Sequence, residues 1–318
     1  MRYLSLTLTL LLFNSWLVGD SFAAEFTLVK KDASIEVKQD GKPFATYHFR
    51  SGAKPIIWPL HGPGGVELTR GYPMRDATED ERDDHIHHRS LWFTHGEVND
   101  IDFWAETKGH GVIEHREVLK AEEGSRAVIA TANDWMSPDG KKVMSDRRRF
   151  TFDGNDQMRW IDCDFTLIAS NGEVHFGDTK EGSFGVRTAG TMKVDAKKGG
   201  TIVTSNGEKD RDAWGKAAKW CDYYGPVEGE TRGIAILNHP SSFHYPNRWH
   251  VRTYGLFAAN PFGEYHFVGS KEKTDGVRLA DGESLQLRYR VILHSGTTEE
   301  ADIESQFKAF AATTIEGP

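Results

Sequence analysis

Residues 83–96, DDHIHHRSLWFTHG, place four histidines, two aspartates and one arginine in fourteen positions. Imidazole changes charge near neutral pH and also ligates metals, so the stretch offers acid–base chemistry, metal binding or both. Read as a strand entering a loop, it sets His85, His87 and Arg89 on one face and Ile86, His88, Ser90 and Trp92 on the other. A second segment, HFGDTKEGSFGVRT, supplies Asp178, Lys180, Glu181 and Arg187 among glycines that let backbone approach a ligand closely. A third, WHVRTYG, alternates so that His250, Arg252 and Tyr254 share a face while Trp249, Val251 and Thr253 take the other. Burying such a trio unpaired is costly, so it reads better as a pocket floor than as core. His239 and His244 precede it in a proline-containing loop, and Asn260-Pro261 closes the segment.

These types divide the work of a proton-transfer site. Glu181 is the candidate general base, and His250 or His87 the candidate acid. His85, Arg89, Lys180, Arg187, His239, Arg252, Tyr254 and Asn260 are the expected substrate contacts, with the cations fixing hydroxyls or a carboxylate. A glycosidase would need a second carboxylate, which Asp178 or Asp84 could supply. No cofactor is predicted. The ligand types nevertheless admit a divalent metal held by His85, His87 and His239 or His250 with a carboxylate, giving a metal-dependent hydrolase or lyase as the alternative. A non-catalytic glycan-binding module is the third reading. Trp214, Trp220, Tyr223 and Tyr224 could stack on sugars, but buried core is the commoner fate of such rings. The chain lacks HExxH, a P-loop, a dinucleotide fingerprint and a GxSxG elbow.

The elements that must position these groups are strands. ASIEVKQDGKPFATYHF is two alternating runs around Asp40-Gly41, a hairpin signature, and Asp139-Gly140 and Asp281-Gly282 punctuate the chain similarly. Ile161, Cys163, Phe165 and Leu167 share one apolar face, as do Leu285, Leu287, Tyr289, Val291 and Leu293. WHVRTYGLFAA reads as one further strand. Helical periodicity is confined to TTEEADIESQFKAFAAT, with a threonine cap and apolar Ile303, Phe307 and Phe310. The expected fold is all-β, one large antiparallel β-sandwich over residues 25–318 with a short C-terminal helix.

Residues 1–24 have a basic start, an apolar stretch and small residues before the expected cleavage, the layout of a secretory signal peptide. A periplasmic or secreted protein follows, with no membrane attachment after cleavage. The net charge of −8 argues against a nucleic-acid partner. Cys163 and Cys221 are too few for a scaffold of disulfides, and Cys163 reads as a buried free thiol.

In order, HHRSLWFTHGEVNDIDFW, DTKEGSFGVR, WGKAAKWCDYYG and HPSSFHYPNRWHVRTYGLFAANPFG resemble the DUF6807 family over nearly the whole mature chain. Its members are exported bacterial proteins often labelled PmoA-like methane oxygenases, although this chain has no apolar span suited to such a membrane subunit. The resemblance implies a galactose-mutarotase-like β-supersandwich with its site on the concave face of a sheet. It further implies a carbohydrate or glycoside substrate in polysaccharide degradation, handled by a sugar hydrolase, lyase or epimerase.

Overall fold

The computed structural model describes residues 24–314, and the expected signal peptide lies outside these except for Ala24. In chain order the strands begin with β1 (Phe26–Lys31), β2 (Ser34–Gln39), β3 (Lys42–Ser51), β4 (Lys54–Leu60), β5 (Leu91–His95) and β6 (Val112–Glu122). There follow β7 (Ala127–Met136), β8 (Lys142–Gly154), β9 (Met158–Ile168), β10 (Val174–Phe176), β11 (Gly182–Arg187) and β12 (Thr201–Thr204). The last are β13 (Trp220–Val227), β14 (Glu230–Asn238), β15 (Arg248–Val251), β16 (Leu256–Asn260), β17 (Val277–Leu279) and β18 (Ser284–Ser295). Two helices, α1 (Tyr265–Val268) and α2 (Ile303–Ala311), complete the α-structure of the described residues.

Two eight-stranded antiparallel sheets form a sandwich. The first runs β1-β2-β3-β4-β5-β11-β16-β15 and the second β12-β13-β14-β18-β9-β8-β7-β6. Side-chain alternation decides which residues meet between them. In the first sheet Ile57, Leu91, Val186, Phe257 and Val251 lie in register across five strands and face inward. In the second, Ile161, Cys163, Phe165 and Leu167 of β9 are buried, and so are Leu285 to Leu293 at alternate positions of β18. Phe165 stacks on Phe93 of the first sheet at 4.4 Å, and Tyr289 on Phe184 at 5.0 Å. Both cysteines are free and buried, on separate strands.

The helix α2 closes the outer face of the second sheet, where Ile303, Phe307 and Phe310 pack with Ala235, Leu237 and Ile292. Its cap is Asp302, not threonine, and the Asp302 carboxylate accepts from the Ser305 N–H. Thr298 instead donates its buried hydroxyl to Asp222. WHVRTYGLFAA is likewise two strands, β15 and β16, joined by a tight turn in which the Gly255 N–H donates to the Arg252 carbonyl. The PmoA-like label attached to the family is overturned: among the described residues no helix is long and apolar enough to cross a membrane.

Candidate active site on the outer face of the first sheet

One transverse row fixes the floor. Ile56, Trp92, Gly185, Ala258 and His250 are cross-strand partners over five strands and therefore face the same way, outward. Arg187, paired with Leu256, belongs to the neighbouring row. Gly185 is required here, because a Cβ at that position would lie 2.6 Å from Cζ2 of the Trp92 ring. Trp92, Trp104, Ile56, Leu256 and Ala258 form a small apolar patch under the site, separate from the main core.

Residues 85–89 are not a strand. The chain turns at His85, with φ of +46°, and β5 begins only at Leu91. That turn brings His88 in with His85 and His87, where strand alternation would have sent it to the opposite face. His85 and His88 stack at 4.8 Å, His88 stacks on Trp92 at 5.4 Å, and His87 meets His88 edge-on at 4.4 Å. Arg70, buried to 2% exposure, holds this loop. Its guanidinium donates to Asp84 and to the carbonyls of Arg82, His85 and His88. Arg187 donates to His88 Nδ1 at 3.1 Å and to Asp84 at 3.3 Å. A guanidinium can only donate, so His88 Nδ1 accepts and carries no proton. Burial, then the charges of His87 and Arg187, push His88 well below the usual histidine range.

Glu181 enters from the far side. The Gly96 N–H donates to its carbonyl at 2.7 Å, an approach that a Cβ on residue 96 would obstruct. The preceding loop is tied down by Asp178, which accepts from the backbone N–H groups of Glu264, Tyr265 and Thr274. Asn260 is buried, and its amide is spent similarly, donating to the Thr179 carbonyl and accepting from Phe262 and Gly263. Burial would lift the Glu181 carboxyl, but the hydrogen bond from Lys180 and the proximity of His250 and His87 hold it below its ordinary value. Burial lowers His250 to about 4 despite the Glu181 charge, with Arg252 and Lys180 adding to the effect. His87 also falls to about 4, through burial and then the charges of Lys54 and His85. Near neutral pH the site thus holds an ionised carboxylate beside two neutral imidazoles. His250 Nδ1, Trp92 Nε1 and Trp104 Nε1 are buried there without a hydrogen-bond partner.

Cations outnumber carboxylates on this face. Arg70 and Arg187 share Asp84, Lys54 and Arg89 share Glu106, and Lys180 pairs with Glu181. Arg252 lies over the Trp214 ring at 5.5 Å. Asp102 is a fourth carboxylate, raised by burial and by the charge of Glu181 although it accepts from the Trp104 and Ala105 N–H groups.

The family described as "Family of unknown function (DUF6807)" matches residues 34–308. The chain belongs to DUF6807. Among curated proteins none matches this DUF6807 chain. Among solved structures, a galactose mutarotase-like protein from Lactobacillus casei shares 8% identity at a TM-score of 0.38, over 85% of this chain and 100% of that one. A putative aldose 1-epimerase from Escherichia coli K12 shares 11% identity at a TM-score of 0.34, over 86% and 99%. A glycoside hydrolase family 97 enzyme from Pseudoalteromonas sp. strain K8 shares 10% identity at 0.33, over 86% of this chain and 34% of that one. The likeness is distant and concerns the fold.

Among the predicted residues of the DUF6807 chain, His85, Arg187 and Arg252 meet at the Tyr254 ring, and Lys180, His87 and His250 surround Glu181. His239 joins neither group. It lies at the second sheet, with its ring against Phe310 and its imidazole nitrogens beside Ser241 and Arg288. The ligand set of His85, His87 and His239 is therefore never assembled, and among the described residues no group of three His, Cys, Asp or Glu side chains is arranged to hold a metal. Arg89 is engaged by Glu106, at 2.8 and 2.9 Å. Of Trp214, Trp220, Tyr223 and Tyr224, Tyr223 is core, Trp220 and Tyr224 pack in the cluster under α2, and Trp214 alone borders the site. Sequence reasoning missed Arg70, His88, Lys54, Glu106 and Asp102. Lys54 left a trace, because alternation in KPIIW places a lysine on the same strand face as Ile56 and Trp58.

Proposed function

We propose that this protein is a carbohydrate-active enzyme whose reaction turns on proton abstraction at the outer face of the first sheet. The observation that carries this is the ionised Glu181 beside neutral His87 and His250, ringed by guanidinium and ammonium groups. Three proton acceptors among cations suit removal of a proton from a sugar carbon or hydroxyl and stabilisation of the anion that results. That is the chemistry of a lyase or epimerase. With His87 and His250 both neutral, the acid role expected of them passes elsewhere, and Glu181 acts as base. The N-terminal sequence supports export to the periplasm or beyond, where polysaccharide fragments would be met.

A second reading has its own support. Asp102 is raised and Glu181 lowered, and a pair of carboxyls pushed apart is what a glycoside hydrolase uses. A panel of glycosides and polysaccharide fragments, assayed with wild type, Glu181→Gln, His250→Asn and Asp102→Asn, tests both. Loss of Glu181 or His250 should lower kcat by about 100-fold or more. An unsaturated product or an inverted sugar centre marks the first reading, and new reducing ends without unsaturation mark the second. Wild-type turnover by Glu181→Gln would remove both.

A further inference from the structure

Beside the site opens a cleft of ≈ 280 Å³ lined by Arg211, Trp214, Val251, Arg252, Thr253 and Tyr254. None of its lining residues is acidic, in a chain whose net charge is −8. The Arg252 guanidinium lies over the Trp214 ring at 5.5 Å and 6.0 Å from the centre of the Tyr254 ring. Among the described residues no carboxylate pairs with Arg252, unlike Arg70, Arg89 and Arg187. Phe267 backs both sides of the junction, at 5.3 Å from the Trp214 ring and 6.0 Å from His250. Through Phe267, and through Tyr254 stacked on His85, the cleft adjoins the proton-transfer groups.

A guanidinium seated over an aromatic ring, with a second arginine lining the same cleft and no paired carboxylate, is suited to a planar or tetrahedral oxyanion. The volume is at the small end for ligand pockets, matching one sugar ring and not an extended chain. We infer that this cleft binds an anionic sugar residue, so that the substrate is an acidic glycan carrying a carboxylate or sulfate on the unit next to the bond or centre acted upon. The link to turnover rests on the proposed reading of the neighbouring site, whereas the binding itself does not.

The test measures binding by calorimetry, with Glu181→Gln as the host so that nothing is consumed. Oligogalacturonate and alginate oligosaccharides form the carboxylate arm, each against its carboxyl-reduced counterpart. Carrageenan oligosaccharides form the sulfate arm, against the desulfated sugars. At least one acidic ligand should bind about tenfold or more tightly than its uncharged partner, and added salt should weaken it. Arg252→Ala in the same host should erase the preference, and Arg252→Lys should retain part of it, with thermal melts confirming that both variants fold. The arm that shows the preference names the anion. Equal binding of charged and uncharged partners in both arms overturns the inference, as does a preference that survives Arg252→Ala in a folded protein. If the preference holds while Glu181→Gln turns over substrate like wild type, the cleft stands and the proposed catalytic reading falls. If neutral glycosides are turned over through Glu181 with no acidic preference, the reverse applies.

Discussion

His85 and Tyr254 stack with ring centroids 5.5 Å apart and planes 15° from parallel. The contact ties the histidine loop to the turn between β15 and β16, and the column continues through His88 to Trp92. Gly185 lies beneath Trp92, so Gly185→Ala should displace that ring and loosen the stack above it. Overpacking of this sort costs about 1–3 kcal/mol, readable by urea denaturation, and turnover should fall further than stability alone explains. A Gly185→Ala protein with unchanged midpoint and activity would show that the column does not hold the loop.

Stability should fall as the solution is acidified from about pH 6.5 towards 4. His87, His95 and His250 each sit at about 4 in the folded protein, lowered chiefly by burial, against a model-peptide value near 6.5. Between those limits the unfolded chain binds protons that the folded chain does not, so the free energy of unfolding rises with pH. Each group contributes at most about 1.4 kcal/mol per pH unit in that window, and less where solvent reaches it. His294 runs the other way. It is buried, and although burial alone would lower it, Asp222 raises it, so its contribution is complete at acid pH and fades as pH climbs through its folded value. Thermal melts of wild type and His250→Asn across pH 4–7 should show a shallower slope for the variant; parallel curves would refute the assignment.

Two cations share the Glu106 carboxylate, which Arg89 and Lys54 hold at about 2 against the opposing effect of burial. Glu106→Gln should therefore destabilise strongly, by about 3–5 kcal/mol, because Lys54 is fully buried and would lose its counter-charge. Lys54→Met should be milder, since Glu106 keeps Arg89. It should also make His87 easier to protonate, because the Lys54 charge is among the causes that lower it. The acid limb of the activity profile would then move to higher pH.

His239→Ala should leave turnover within about threefold of wild type, since its ring contacts lie at the second sheet and not at the cluster of residues 85–88. Losing activity to the extent of Glu181→Gln would contradict the placement of the site.

Much of the sandwich was legible because alternation is a direct consequence of strand geometry. The inward faces of β9 and β18 are buried as the sequence reads, and the Asp40-Gly41 turn joins β2 to β3. Glu181, His87 and His250 were visible as residue types that need a wet surface, while their meeting at one place depends on the strand order β5-β11-β16-β15. What alternation could not supply was the path of the loop before β5. A positive φ at His85 redirects the chain, so His88 joins the cluster and Arg89 turns to Glu106. Arg70 was hidden for a related reason: its partners are mostly carbonyl groups, and backbone acceptors leave no mark on a sequence. His239 misled because nearness along the chain to His250 says nothing about which sheet a loop returns to.

The strand β18 lies between β14 and β9 in the second sheet, although it is the last strand in chain order among the described residues. Until residues 284–295 dock, that layer consists of two separate halves, each with an open hydrogen-bonding edge. Chains cut short before this point would expose both edges to other molecules, a known route to aggregation. They would also lack one wall of the core against which β11 and its neighbours pack, so chemical competence and a closed sandwich should emerge together, when β18 docks.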